Sequence, residues 1–466
     1  MSLEVLEINN LTFEQPESAC VAEKTTRNQI FATPPAYGGL SGGEVMSILI
    51  NSGAEHVDGS RSTLTFQAKI TAGDATFYRF DVQGVTSLNS GSSCLNLISS
   101  IILESKDGQI LARENFVNIM QTTREYRLNQ EAKNQLAMAG GYQAILNDYP
   151  LYPTDKFTSF TLPLSILLPF FNTASLIPSY LMAGSILRLQ INDPKASVIL
   201  YQNDGTTKIT DGRAVTLDIQ SLSLYMQESK LYDGVESILK HSVMKMNKGL
   251  SFNYYQNFNT IYIPTSSSFQ MEIQVACMKA SYVVIKFLDN DAGKGVLSPI
   301  GCASIRNLNN DQNLDDPNGL GFSIQCRLGQ VLTTAYPIVS SVEAYKLTAD
   351  CLNPISYSNT EDIDVLKEKN KLMSGCVAYH YYNYSIYQRA PNPVGYFTGL
   401  NLHGTMFAFD LQRNSNVNLS GLSTNANKVI TIEVNGLAAF SKYKVYASVQ
   451  YATVAQVYEN NVVISK

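Results

Sequence analysis

Residues 63–70 read TLTFQAKI, and their spacing sets the class of fold. Leu64, Phe66, Ala68 and Ile70 alternate with Thr65, Gln67 and Lys69. Successive side chains of a strand point to opposite faces, so this stretch is a strand with one apolar and one wet face. The same period of two recurs along the chain. It is carried by Tyr78, Phe80 and Val82, by Leu187, Leu189 and Ile191, and by Phe269, Met271 and Ile273. Val283, Ile285 and Phe287 repeat it, as do Phe322, Ile324, Cys326 and Leu328, then Ile430, Ile432 and Val434, and finally Val445, Ala447 and Val449. FTSFTLPLSI (157–166) reads as one more strand. Val215, Leu217 and Ile219 hold the phase, which then slips by one to Leu222, Leu224 and Met226; a slip of that kind predicts a bulge or bend. Lys106-Asp107-Gly108-Gln109 sits between two apolar runs as an Asp-Gly hairpin turn.

Helical spacing is scarce. Residues 114–139 carry Phe116, Ile119, Met120 and Thr123 three and four apart and close at Gly140-Gly141, which predicts a helix. A short helix is expected over 340–352. Another is expected over 360–373, where acids lead and lysines follow as the helix dipole favours. Strands therefore dominate, in two runs of about 200 residues each, the size of two domains. One wet face per strand points to antiparallel sandwiches, and no alternation of strand and helix marks a parallel nucleotide-binding sheet. The expected division is an N-terminal arm over 1–45, rich in Pro and Gly at 33–44, a first sandwich over 46–232, a linker over 233–258 and a second sandwich over 259–466.

Composition agrees. The 466 residues are too many for a single core, and 45% hydrophobic content is enough to build two. Only 16% of residues are charged and the net charge is −5, which excludes a disordered chain and does not imply a broad basic face for nucleic acid. The N-terminus MSLEVLEINN lacks the basic start and apolar run of a signal peptide. The most apolar stretch, 162–184, is broken by Pro163, Pro169 and Pro178 well short of a spanning helix. The seven cysteines are odd in number, contain no CxxC, and read as reduced thiols of a chain made in the cytosol.

Catalytic and metal signatures are weak throughout the sequence. The four histidines share no metal-binding spacing, and Cys376 with His380 supplies only half a zinc site. GxSxG occurs once, at Gly39–Gly43, in the glycine-rich arm and without the strand and helix that a nucleophile elbow needs. Lys240 to Lys248 form the densest basic group, explained equally by a linker and by a phosphate contact. The tyrosines at 379, 381, 382, 384 and 387 form a cluster that suits a sheet face, an interface or a sugar site. The sequence thus assigns no catalytic residue, cofactor or metal. A carbohydrate-binding or adhesive sandwich is the alternative that the tyrosine cluster motivates.

The order of the pieces carries more than any one of them. A Gly/Ser loop precedes CLNLISSIILESKDGQILAREN (94–115), then comes FTLPLSILLPFFNTASLIPSYLMAGSILRLQIND (160–193), then RLGQVLTTAYPIVSSVEAYK (327–346), then GLNLHGTMFAFDLQRNSNVNLSGLSTNANKVITIEV (399–434). Over residues 60–466 this order resembles the double jelly-roll major capsid proteins of Polinton-like viruses, adintoviruses and virophages, in the lineage of tailless phages and adenoviruses. The motif positions are Pro163, Pro178, Met182 and Gly184 in the first half, and Gly329, Tyr336, Pro337, Glu343 and Tyr345 in the second. The resemblance implies an all-β chain of two consecutive eight-stranded antiparallel jelly rolls with short helices in the connections. It implies a structural function, with homotrimers shaped as pseudo-hexameric capsomers that tile an icosahedral shell. It also implies residence in the virion, penton and minor capsid proteins as further partners, and no enzymatic activity. By the same resemblance, 122–156 and 289–320 are candidate outer loops and 1–45 an inner contact. Specific nucleic-acid binding is not expected.

Overall fold

The computed structural model describes residues 22–51, 55–80, 93–119, 151–173, 176–241, 250–289, 319–352, 406–411, 424 and 429–465, apart from isolated positions within them. In the first half the strands along the main path of the two large sheets are β1 (Ala22–Phe31), β2 (Val45–Ile50), β3 (His56–Thr71), β4 (Ile98–Glu104), β5 (Ile110–Asn115), β6 (Thr158–Pro163), β7 (Ser185–Ile191) and β8 (Thr216–Leu231), with the short strand Tyr37–Leu40 added to β8. In the second half they are β9 (Leu250–Tyr262), β10 (Phe269–Ile273), β11 (Ala280–Asp289), β12 (Gly319–Leu328), β13 (Val331–Leu332), β14 (Met406–Asp410), β15 (Ile430–Asn435) and β16 (Tyr443–Val457), with the short strands Ile338–Ser340 and Val462–Ser465 added to β12 and β16.

Pairing makes the relation between the halves plain. The first half forms sheets β1-β8-β3-β6 and β2-β7-β4-β5, and the second forms β9-β16-β11-β14 and β10-β15-β12-β13. Adding eight to each number of the first pair gives the second pair. Every ladder is antiparallel. This strand order is that of a jelly roll, a sandwich of two Greek keys, and it occurs twice. The alternation read from the sequence faces each sandwich interior. Met46, Ile48 and Ile50 are buried opposite the outward Val45 and Leu49, and Phe269, Met271 and Ile273 are buried between exposed Gln270 and Glu272.

Local chemistry sets the details. The expected slip in β8 is present: its ladder to β3 skips between Gln220 and Ser223, and Ser221 takes a positive φ of 55°. The Asp107-Gly108 turn joins β4 to β5, with Gly108 at φ 78° and its N–H donating to the Ser105 carbonyl at 3.0 Å. The helix expected over 340–352 is α2 (Ser341–Leu352), and it packs on β14 through Thr348, whose hydroxyl accepts from the Ala408 N–H. It is preceded in the chain by α1 (Asp233–Lys240).

Several expectations are corrected. Residues 22–31, expected in an arm, are β1, and they pair with β8 from Ala22 to Phe31. Their polar sequence hides the strand because none of Glu23 to Phe31 is buried. Residues 250–258, expected in a linker, belong to β9. The strand read over 157–166 ends at Pro163, which lacks an N–H for the ladder, and Leu164–Leu167 form a helical turn. The predicted helix cannot begin at 114, because Glu114 and Asn115 close β5; Val117 and Ile119 are helical. Tyr78 lies in a short strand, Phe77–Arg79, of a small accessory sheet with Ile199–Tyr201 and Tyr152–Pro153. The rest of the 114–139 helix, the 360–373 helix, the tyrosine cluster and nearly all of 289–320 lie outside the described residues.

Gly59 in β3 shows how closely the first sandwich is packed. A Cβ there would sit 2.8 Å from the Phe171 carbonyl oxygen and 3.0 Å from Ile177 Cδ1. Gly59→Ala is expected to destabilise the chain by about 1–3 kcal/mol, because backbone cannot step aside as a side chain can. Gly108→Asn, at a positive φ with open space around it, is expected to stay within ~0.5 kcal/mol of wild type. Guanidinium-chloride unfolding midpoints of the two variants check the contrast.

Candidate functional site: the seam between the two sandwiches

The two barrels meet where β9 lies against β5. No ladder joins these strands among the described residues; side chains make the junction. The pairing of β4 with β5 passes from Leu103↔Ala112 to Glu104↔Ile110, so Leu111 is a bulged residue without a partner in the ladder. Its side chain is fully buried in the first core. Its carbonyl is taken by the second barrel. Tyr254 Oη donates to it at 2.8 Å, and Gln256 Nε2 donates to it as well. Gln256 Nε2 also reaches Tyr254 Oη at 3.1 Å, and Gln256 Oε1 accepts from Tyr451 Oη at 2.8 Å. Burial pushes the Tyr254 phenol well above its ordinary value and that of Tyr451 up to about 12, so both remain protonated donors at neutral pH.

Three residues on from Leu111, Glu114 is fully buried and its carboxylate points across the seam. It accepts from Asn257 Nδ2 at 2.7 Å and from Asn259 Nδ2, which also donates to the Asn115 carbonyl at 2.7 Å. Further along, Lys286 of β11 is 1% exposed and its ammonium donates to the Ile119 carbonyl at 2.7 Å. Polar groups this deep are stable only when partnered, so the seam aligns the barrels by hydrogen-bond geometry as well as by contact.

Apolar packing closes the remainder. Phe170, from the turn Pro169–Phe171, meets Tyr254 edge-on at 4.9 Å and Phe252 at 5.6 Å. Phe252, Tyr254, Ala455 and Val457 of the second half join the first barrel's hydrophobic cluster. Phe116, at φ 58°, stands edge-on to Tyr446 at 5.9 Å. The connection between barrels is itself anchored: Glu236 of α1 lies 3.0 Å from Nε2 of the buried His56 and accepts from Tyr180 Oη at 3.1 Å.

The motif positions found in the sequence fall elsewhere. Pro163 ends β6 opposite Thr63. Pro178 precedes the turn Ser179–Met182, in which Met182 is fully buried, and Gly184 at φ 78° donates its N–H to the Ile50 carbonyl at 2.9 Å. Gly329, at φ 59°, makes the β12–β13 turn and bonds the Val429 carbonyl. Tyr336 and Pro337 are exposed beyond β13, and Glu343 and Tyr345 lie on α2. These residues sit at strand ends, turns and a helix of the two halves and do not converge on one site. Residue-level reasoning missed the seam. The signal was present in β9: LSFNYYQNFNTIY has no charged residue in thirteen, unlike a strand face that meets water.

Chemistry at the remaining candidates is modest. The Ser41 hydroxyl is exposed and donates to Glu44 at 3.1 Å; backbone N–H groups of this turn hold the Glu44 carboxyl below its usual range. Gly42 is needed there, since a Cβ would lie 2.8 Å from the Asp193 Cα. Cys94, Cys277 and Cys326 are buried free thiols. Among the described residues no group of three or more His, Cys, Asp and Glu side chains is placed to hold a metal, and no helix is long and apolar enough to cross a membrane. His380 and Cys376 lie outside the described residues.

No protein-family model matches the sequence, and no curated protein does. The fold is nevertheless shared with solved virus structures. PBCV-1 VP54, fitted into a reconstruction of the virophage Sputnik, superposes with a TM-score of 0.57 at 10% identity, over 97% of this chain and 99% of that one. A structure of the Sputnik virophage matches with 0.54 at 8% identity, over 100% and 93%. The PBCV-1 virus capsid matches with 0.53 at 11% identity, over 97% and 99%. The chain thus has the double jelly-roll fold of viral major capsid proteins along nearly its whole length.

Glu114→Ala is expected to cost about 2–4 kcal/mol, because the buried Asn257 amide loses its acceptor, Asn259 loses one of two, and the truncation opens space inside the seam. Tyr254→Phe is expected to cost about 1–2 kcal/mol. Scanning calorimetry checks both. Loss at the seam should also split the unfolding endotherm into two, one for each barrel.

Proposed function

We propose that this chain, whose fold is that of virus capsid proteins, is itself a major capsid protein, a building block and not a catalyst. The observation that carries the reading is the double occurrence of one eight-strand path, with the two copies locked side by side by a buried polar seam. A rigid pair of like barrels is a fixed angular unit. Three such units around an axis present six similar barrels, which is the outline needed to fill a hexagonal array. The chain accordingly forms homotrimers, pseudo-hexameric capsomers that tile an icosahedral shell. Its partners are other copies of itself, with penton and minor capsid proteins at special positions, and its place is the virion after synthesis in the host cytosol.

Physical properties support this reading. Low charge, with abundant Tyr and amide side chains, suits wide and wet contacts between subunits. Weak contacts repeated by symmetry sum to a stable shell. The net charge of −5 gives no electrostatic drive for this chain to gather nucleic acid. On this reading 122–156 and 289–320 lie on the outer surface, and the inner contact expected of 1–45 falls to the residues before β1.

The expected result under native mass analysis is a particle near three times the 51.3 kDa of the chain, seen by negative-stain electron microscopy as three-lobed hexagonal outlines. A chain that stays monomeric at all concentrations up to ~100 μM, weaker than transient protein association, overturns the proposal.

A further inference from the structure

The seam inside the chain joins the fifth strand of one barrel, β5, to the first strand of the next, β9. The chain holds two barrels, so among the described residues two half-seams have no counterpart: β1, the first strand of the first barrel, and β13, the fifth strand of the second. Their surroundings differ from those of their equivalents in the way an open junction requires. Ser251, Phe252, Tyr254, Gln256 and Asn257 of β9 are buried, whereas Glu23 to Phe31 of β1 include no buried residue and Phe31 is 52% exposed. Leu111, Ala112 and Glu114 of β5 are buried, whereas Val331 and Leu332 of β13 are 62% and 46% exposed. Tyr336, which follows β13, is 64% exposed, and Val339, in the short strand Ile338–Ser340 that pairs with β12 on the same rim, is 56% exposed.

These four residues form the densest run of exposed large apolar side chains among the described residues, and residues 329–342 contain no charge. Both features mark the centre of a protein interface. β1 in turn is a long rim strand paired on one side only, with β8. An open edge of this length demands cover.

We infer that the β13 side of one copy, centred on Val331, Leu332, Tyr336 and Val339, seats against β1 of a second copy and repeats between chains the junction that β5 and β9 make within one. The inference rests on the reading of this chain as a self-assembling subunit and names the surface it uses. The two faces are unlike, so the contact is heterologous and propagates head to tail until the ring closes. β1 carries Glu23, Lys24 and Arg27, with Arg27 held over the Tyr225 ring at 4.7 Å, while β9 has no charge at all. The junction between chains is therefore wetter than the one within a chain and opens at lower cost.

The test compares four full-length chains by sedimentation across a concentration series: wild type, V331R/V339R on one face, T25D/F31D on the other, and V463R. Val463 is 43% exposed and lies on neither face. Both double variants are expected to raise the concentration needed for trimer by ~100-fold or more, while V463R matches wild type. All five substituted positions are exposed or lie on the open rim, and thermal melts confirm folding. Serine replaces arginine or aspartate in any variant that fails to fold. A trimer as tight as wild type in either double variant overturns this surface while leaving trimerisation standing. Equal loss in V463R also overturns it. A monomeric wild type removes the underlying reading instead.

Discussion

One carbonyl oxygen organises the relation between the two barrels. The bulge in β5 takes Leu111 out of its ladder, and a buried carbonyl left without a donor costs about 1–3 kcal/mol. Tyr254 and Gln256 of the second barrel supply two donors to it. Glu114, on the same strand, is satisfied from the second barrel too, by Asn257 and Asn259. Each barrel therefore completes the other's hydrogen bonds. Sliding or tilting one against the other would strand several buried polar groups at once, which an apolar interface alone would not penalise so steeply.

That dependence accounts for the composition of β9. A strand rim facing water is usually charged, to discourage stray pairing. β9 carries amides, tyrosines and phenylalanines because its rim is covered by its own chain. The amides are short and planar, so they reach fixed acceptors with few rotamers to freeze. β1 occupies the same place in the first barrel and is built otherwise, from Thr25, Arg27, Asn28 and Gln29, with some of these tied back to β3 and β8: Arg27 to Thr63, Gln29 to Ser223 and Asn28 to Glu228. Burial pushes the Glu228 carboxyl upward, opposed by its bond from Asn28. The two first strands thus solve the edge problem under different conditions, one covered within the chain and one with no partner strand on its outer side among the described residues.

Legibility in the sequence followed the chemistry of each strand. Leu64, Phe66, Ala68 and Ile70 announced β3 because one face meets the core and the other water. The slip after Ile219 announced the bulge at Ser221 because a change of phase is visible in a single strand. Pro163 was read through as strand, although its missing N–H ends the ladder there. β1 was invisible as a strand because neither of its faces is buried in this chain. β9 was mistaken in its first half for a connection because the residues that cross the seam look polar and are buried all the same. The motif positions from Pro163 to Tyr345 were legible as a pattern, yet they sit at strand ends, turns and helix α2, while the β9 groups that join the barrels lay outside every quoted stretch.

The amino-acid order alone determined that this chain is built of two-faced antiparallel strands in two successive barrels, because hydrophobic alternation is a property of neighbouring residues. The tertiary structure decided which strands are neighbours, how β5 meets β9, and which rims stay open. Those outcomes depend on ladders such as Ala22↔Leu231 and on bonds such as Tyr254 to Leu111, between groups far apart in the chain. No local period encodes such a pair, since each partner's side chain is compatible with many surroundings until the backbone brings the other to it.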